Sequence, residues 1–195
     1  MPVLIVLGAC AVVLVYIFST YNRFQTTLTR ITASIQEIGN QLKRQVDLIP
    51  NLETAAKSYL KHEKEIYRML TDARKAITSA VKEGAPQKMV DAASKIQELL
   101  PKLTIAVEAN PELRAQEPIK KLMDELRDTA DKVMYARRTL IDLVADFNRM
   151  LLTIPSNIVG KLFGFKPQEG LKVPHEGGHL EVKAEEMKTP KVTLE

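Results

Sequence analysis

The first 22 residues, MPVLIVLGACAVVLVYIFSTYN, carry no charged side chain, and this run limits the fold more than any other feature of the chain. Its apolar part, extended from Val3 to Tyr21, would span about 28 Å as an α-helix, against ~30 Å for the hydrocarbon core of a bilayer. Tyr16 and Tyr21 fall near one end, where aromatic rings favour the membrane interface. A cleaved signal peptide needs a basic leading region and a polar exit, and this stretch has neither. Leu7-Gly8-Ala9-Cys10 resembles a bacterial lipobox with Cys10 as the acylated residue, although nothing basic precedes it and the apolar run continues past it to Phe18. An uncleaved single-pass anchor through residues 2–21 fits best, with a lipoprotein acylated at Cys10 as the alternative. Arg23 and Arg30 follow the span, with Lys43 and Arg44 behind them, and only the α-amine precedes it. The positive-inside rule therefore predicts a cell-membrane protein, N-terminus out, with its body in the cytoplasm.

Beyond the span, Phe24, Leu28, Ile31, Ile35, Ile38 and Leu42 recur in steps of four and three, which is a heptad seam. The anchor helix is predicted to run straight into a second section ending near Val46. Asp47 can then cap a new helix, and Pro50 is tolerated in a first turn because the N–H it lacks would have had no partner there. This predicts a chain reversal at Asp47–Pro50, plugged by Leu48, Ile49 and Leu52. The same register also continues through Ile49, Leu52, Ala56 and Tyr59, so one long helix kinked at Pro50 is the alternative.

The next helix carries Tyr59, Ile66, Leu70, Ala73 and Ile77, and stops at Gly84 and Pro86. A third runs from about Pro86 to Val107, with Pro101 expected to kink or shorten it. Asn110 and Pro111 are a cap and a first helical residue, and Pro118 can reset the helix once more. The fourth carries Ile119, Leu122, Leu126, Val133, Ala136, Leu140, Phe147, Leu151 and Ile154, ending before Pro155. PSNIVGKLFGF is a short amphipathic helix closing the bundle. Residues 166–195 are rich in Pro, Gly and charge and are predicted to form a flexible tail, with weak strand tendency at LEVKAEE and KVTLE. The domains are thus an anchor (1–22), a helical bundle (23–165) and a tail (166–195).

Little in the chain points to chemistry. Net charge is +4, with the cation excess confined to residues 23–165, which suits an anionic membrane surface. No dense basic stripe with interleaved aromatics occurs, so nucleic acid is not an expected partner. His62-Glu63 would open a zincin motif only with a second His at position 66, where Ile66 stands. His175 and His179, with Glu176 and Glu181, could hold a metal, but Gly177 and Gly178 between them argue for a solvated tail. A di-metal bundle site needs a Glu-x-x-His motif on each of two helices, and the chain has one such spacing, Glu176 to His179, in the tail. Ser34, Ser58, Ser79, Ser94 and Ser156 lie in no nucleophile elbow, and there is no glycine-rich phosphate loop. Asp142 and Asp146, near Phe147, belong on the solvated face.

The expectation is therefore a non-enzymatic protein with no catalytic, cofactor-binding or metal-ligating residues and no cofactor. Its partners are the bilayer, through residues 2–21, and either itself or another membrane protein. The candidate contact surfaces are the juxtamembrane seam and an apolar cap of Ile158, Leu162, Phe163 and Phe165. The alternative is a small-molecule, lipid or metal binder, enzymatic or not, using the bundle core or the histidine-bearing tail.

Five fragments carry a family resemblance: YNRF after the span, QLKRQVDLIPNL, YLKHEKE, ANPELRA and YARRTLIDLVADFNRMLLTIPSNIVGKLFGFK. In this order they resemble the LemA family, over Tyr21 to Lys166. The resemblance implies an all-α fold, a transmembrane helix followed by an antiparallel up-and-down four-helix bundle, and no established enzymatic activity. It favours the reversal at Asp47–Pro50. The chain departs from the pattern at Arg44-Gln45-Val46, where Arg-Arg or Arg-Lys is expected before the acid. It departs again at Pro101, and at PQEGLKVPHEGGHLEV, which replaces an aromatic-acidic segment.

Overall fold

A single helix, α1 (Pro2–Ala56), forms both the apolar N-terminus and the first element of the bundle. It is 55 residues long, about 82 Å at ~1.5 Å per residue. The computed structural model describes residues 1–56 and 64–172. The other helices are α2 (Lys64–Glu83), α3 (Pro86–Ala109), the single turn α4 (Pro111–Arg114), α5 (Glu117–Leu152) and α6 (Ser156–Leu162). The described residues contain no strand, and the weak strand tendencies of the tail lie outside them.

The N-terminal part of α1 stands clear of the rest. Its apolar window has a mean hydropathy of 2.6 and only 6% of it is buried. A core helix of a soluble protein would be covered by its neighbours; this one offers its aliphatic side chains to the surroundings. Burial begins at Thr20 and continues through Phe24, Ile31, Ile38, Leu42, Ile49 and Leu52. Leu28 and Ile35, the alternate seam positions, are half-buried against the same core.

The helices alternate in direction. Phe24 of α1 meets Phe147 of α5, and Arg44 pairs with Glu125, so positions rising along α1 meet positions falling along α5. Lys102 of α3 reaches Glu65 of α2 at 3.0 Å, and Lys88 reaches Glu83 at the connecting turn. That turn stops at Gly84, whose φ of 70° suits glycine. Asn110 caps α4 as its sequence implies, accepting hydrogen bonds from the Glu112 and Leu113 amides. The Glu125 carboxylate raises the pKa of the Arg44 guanidinium by hydrogen bonding and charge. The Lys88 and Ser79 hydrogen bonds lower that of Glu83.

Two prolines behave differently from expectation. The chain does not reverse at Asp47–Pro50: α1 continues through Pro50 to Ala56, which is the long-helix alternative. Leu48, Ile49 and Leu52 are all buried in register with Leu42. Burying three such side chains contributes about 1.5–3 kcal/mol each, more than the ~3 kcal/mol that an interior proline costs. Residues 57–63, between α1 and α2, lie outside the described residues. Pro101 likewise neither breaks nor shortens α3, which runs unbroken to Ala109. Leu99 and Leu103 on either side of it are buried, and Pro101 itself faces solvent.

Gln45 is fully buried within the α1 core face, and neither its Oε1 nor its Nε2 has a hydrogen-bond partner among the described residues. It stands where an aliphatic would continue the series Leu42, Ile49, Leu52.

Candidate functional site at the span-proximal end

The bundle is not four helices deep along its whole length. Met89, near the start of α3, packs at the level of Gly39 in α1, its Cε lying 3.8 Å from where a Cβ on Gly39 would stand. The α2–α3 turn therefore sits some 15 residues along α1 from Phe24, about 22 Å. Below that level α1 and α5 run on together, and other parts of the chain must cover their shared face.

Aromatic rings and the segment after α6 do so. Phe165 stacks on Phe24 at 4.6 Å with 19° between ring planes. Phe147 meets Phe24 edge-on at 5.4 Å and Phe165 at 6.2 Å. Tyr21, at the end of the apolar stretch of α1, lies 4.8 Å from Phe163 and 5.8 Å from Phe165. Four of the chain's five phenylalanines are gathered here, so with Tyr21 a protein sparing in aromatics spends half of them at one place. Gly160 of α6 permits the close approach: a Cβ there would stand 2.7 Å from a Leu151 methyl and 3.5 Å from the Phe24 ring.

The chain then turns back along the α1–α5 pair. The Gln168 amide donates to Asn148 Oδ1 and Asn148 Nδ2 donates to the Gln168 carbonyl, both at 2.9 Å. This side chain imitates a backbone partner and holds the segment in two directions. The Lys172 amide then donates to Gln87 Oε1 at 2.8 Å, tying the strap to the start of α3. Residues 166–172, assigned to the tail from composition, are thus bonded to the bundle. Leu171 is packed against its core. Pro167 and Gly170 suggested a loose segment, and no periodicity could reveal an anchor 20 residues away in sequence.

The expected contact surfaces divide. The juxtamembrane seam is core, taken up mainly by α5, and is not free for a partner. Of the apolar cap, Phe165 is half-buried in the aromatic stack, while Ile158, Leu162 and Phe163 are exposed. Ile154, expected on the buried face of the fourth helix, lies beyond the end of α5 and is 80% exposed, and Leu152 beside it is 81% exposed. Ser156 fixes this corner, donating to the Met150 carbonyl at 2.7 Å.

The other singled-out residues do not converge. Cys10 is exposed on the apolar part of α1. Asp142 and Asp146 are exposed, and Asp146 pairs with Arg149 at 3.1 Å. His62, His175 and His179 lie outside the described residues. Among the described residues, no cluster of three His, Cys, Asp or Glu side chains could hold a metal. A shallow groove of about 260 Å³ runs between α1 and α5, lined by Arg30, Ala33, Glu37, Tyr135, Thr139 and Leu143 among others. No curated protein matches the chain. The family model described as "LemA family" matches residues 34–189, from within α1 through the bundle and past its last described residue. With about four-fifths of its length matched, the chain belongs to the LemA family.

Proposed function

We propose that this protein is a membrane-anchored scaffold, non-enzymatic, whose bundle is held in the cytoplasm and associates laterally with a second copy or with another membrane protein. The observation that carries this reading is the continuity of α1. One helix supplies an exposed apolar length suited to a bilayer and a buried face that organises the bundle. A bundle built on the anchor itself keeps a fixed orientation to the membrane, and confinement to two dimensions raises the effective concentration of neighbours, so weak lateral contacts suffice. Arg23 and Arg30 follow the apolar stretch, and no acid occurs before Glu37, which favours the cytoplasmic side. Acylation at Cys10 is a poorer account, because cleavage before it would leave only residues 10–21, about 18 Å of apolar helix.

With the seam consumed in the core, the α1–α5 groove beside Tyr135 is the surface for lateral contact. Photo-crosslinking in native membranes from p-benzoylphenylalanine in place of Tyr135 tests it. The expected product is a discrete crosslinked dimer or hetero-complex, identified by mass spectrometry. A chain that remains monomeric, and that copurifies with stoichiometric metal or turns over a substrate, would replace the scaffold reading with a binding or catalytic one.

A further inference from the structure

The geometry points to the exposed apolar collar of Leu152, Ile154, Ile158, Leu162 and Phe163 as a lipid-docking surface, with the bundle's lower end seated in the headgroup interface of the bilayer that α1 crosses. The inference rests on the anchored-helix reading and adds a second membrane contact to it.

Depth is the first argument. Phe163 contacts Tyr21, the residue at which the apolar span ends. Phe147 is level with Phe24, and α5 runs antiparallel to α1. Leu152, five residues farther along α5, therefore lies about 7.5 Å nearer the bilayer than Phe147, level with the last turn of the span. The collar thus stands where the chain leaves the hydrocarbon.

Pattern is the second. α6 turns Val159 and Gly160 inward, and shows Ile158, Lys161 and Leu162 to the outside. In water, five large apolar side chains around one corner form a patch that a soluble surface avoids. At an interface, aliphatic and aromatic groups enter the acyl boundary while lysines reach back to the phosphates.

Charge is the third. Residues 147–168 contain no acid, nor do residues 1–36. The same corner exposes Arg23, Lys161 and Lys166. Acid-free surface with cations beside apolar groups matches a layer of lipid phosphates. A protein partner covering the collar would itself have to lie at the depth of the headgroups, so lipid is the occupant already in place.

The chain has no tryptophan, so a single introduced one reports its own surroundings. Full-length Ile158→Trp, Phe18→Trp and Ile105→Trp would be reconstituted into phosphatidylcholine–phosphatidylglycerol vesicles. Quenching by lipids brominated near the carbonyls would be compared with quenching by aqueous acrylamide. Docking predicts that Ile158→Trp loses fluorescence to the brominated lipid and resists acrylamide, as Phe18→Trp does, while Ile105→Trp, exposed on α3 away from both surfaces, shows the reverse. Leu162→Trp should repeat the Ile158→Trp result. If Ile158→Trp and Leu162→Trp answer to acrylamide alone while Phe18→Trp answers to lipid, the anchor stands and docking is overturned. Shielding of the collar positions from both quenchers would mean that protein covers them, which also overturns docking. If Phe18→Trp is not quenched by lipid, the anchor reading fails and docking fails with it.

Discussion

Replacing Phe24 with alanine is expected to destabilise the bundle by about 3–5 kcal/mol. Phe24 is fully buried, stacked on Phe165 and edge-on to Phe147. It therefore joins α1, α5 and the segment after α6 at the level where α2 and α3 no longer contribute. Removing the ring deletes its burial and leaves a cavity lined by two other rings. Those rings sit on separate elements and cannot all close the gap, so little of the cost is recovered by collapse. Helical signal followed through a urea titration in mild detergent should show the midpoint falling. Phe18→Ala is the control, since Phe18 is exposed on the apolar part of α1 and its loss should leave the bundle transition in place. Equal midpoints for Phe24→Ala and the parent would show that the aromatic cluster does not hold the strap to the bundle.

Replacing Pro50 with alanine should act in the opposite direction. Inside a helix, proline is about 3 kcal/mol less favourable than alanine. Its rigidity in the unfolded chain returns ~0.4–1 kcal/mol of that, so the substitution should stabilise by about 2 kcal/mol. Pro50 is half-buried, and neighbours on both sides hold the helix in register: Thr54 Oγ1 donates to the Pro50 carbonyl at 2.8 Å, and Ile49 and Leu52 are buried. Alanine would return an N–H in the i→i−4 pattern, aimed at the Val46 carbonyl. A higher denaturation midpoint is the expected result. A lower one would mean that the proline fixes a turn, and that the chain reverses at Asp47–Pro50 after all.

These two residues also mark how far the sequence could be read. The apolar N-terminal helix, the heptad seam, the stop at Gly84 and the Asn110–Pro111 cap are local signals, and each stands in the structure where its own chemistry puts it. The helices continue past Pro50 and Pro101 for one reason. A proline's cost is visible locally, but the burial that outweighs it depends on neighbours far along the chain. Gln45 shows the same limit, because nothing in its flanks says that its amide will be enclosed without partners. At the candidate site, Ile158, Leu162 and Phe163 could be named from the sequence as an apolar cap. Phe165 could not be separated from them, because its inward turn is set by the Phe24 ring and by the strap that Asn148 holds. Leu152 and Ile154 were hidden by the α5 periodicity, which assigns a buried face without saying where the helix's last neighbour ends.

The central claim is that α1 is at once a transmembrane anchor and a bundle helix. Alkaline carbonate extraction of membranes carrying the full chain, and separately its Cys10→Ser variant, tests it most directly. Both proteins are predicted to remain in the membrane pellet, because the apolar length of α1 and not an acyl chain holds them. Recovery of the parent chain in the supernatant would contradict the anchor, and release of Cys10→Ser alone would show that the attachment is a lipid on Cys10.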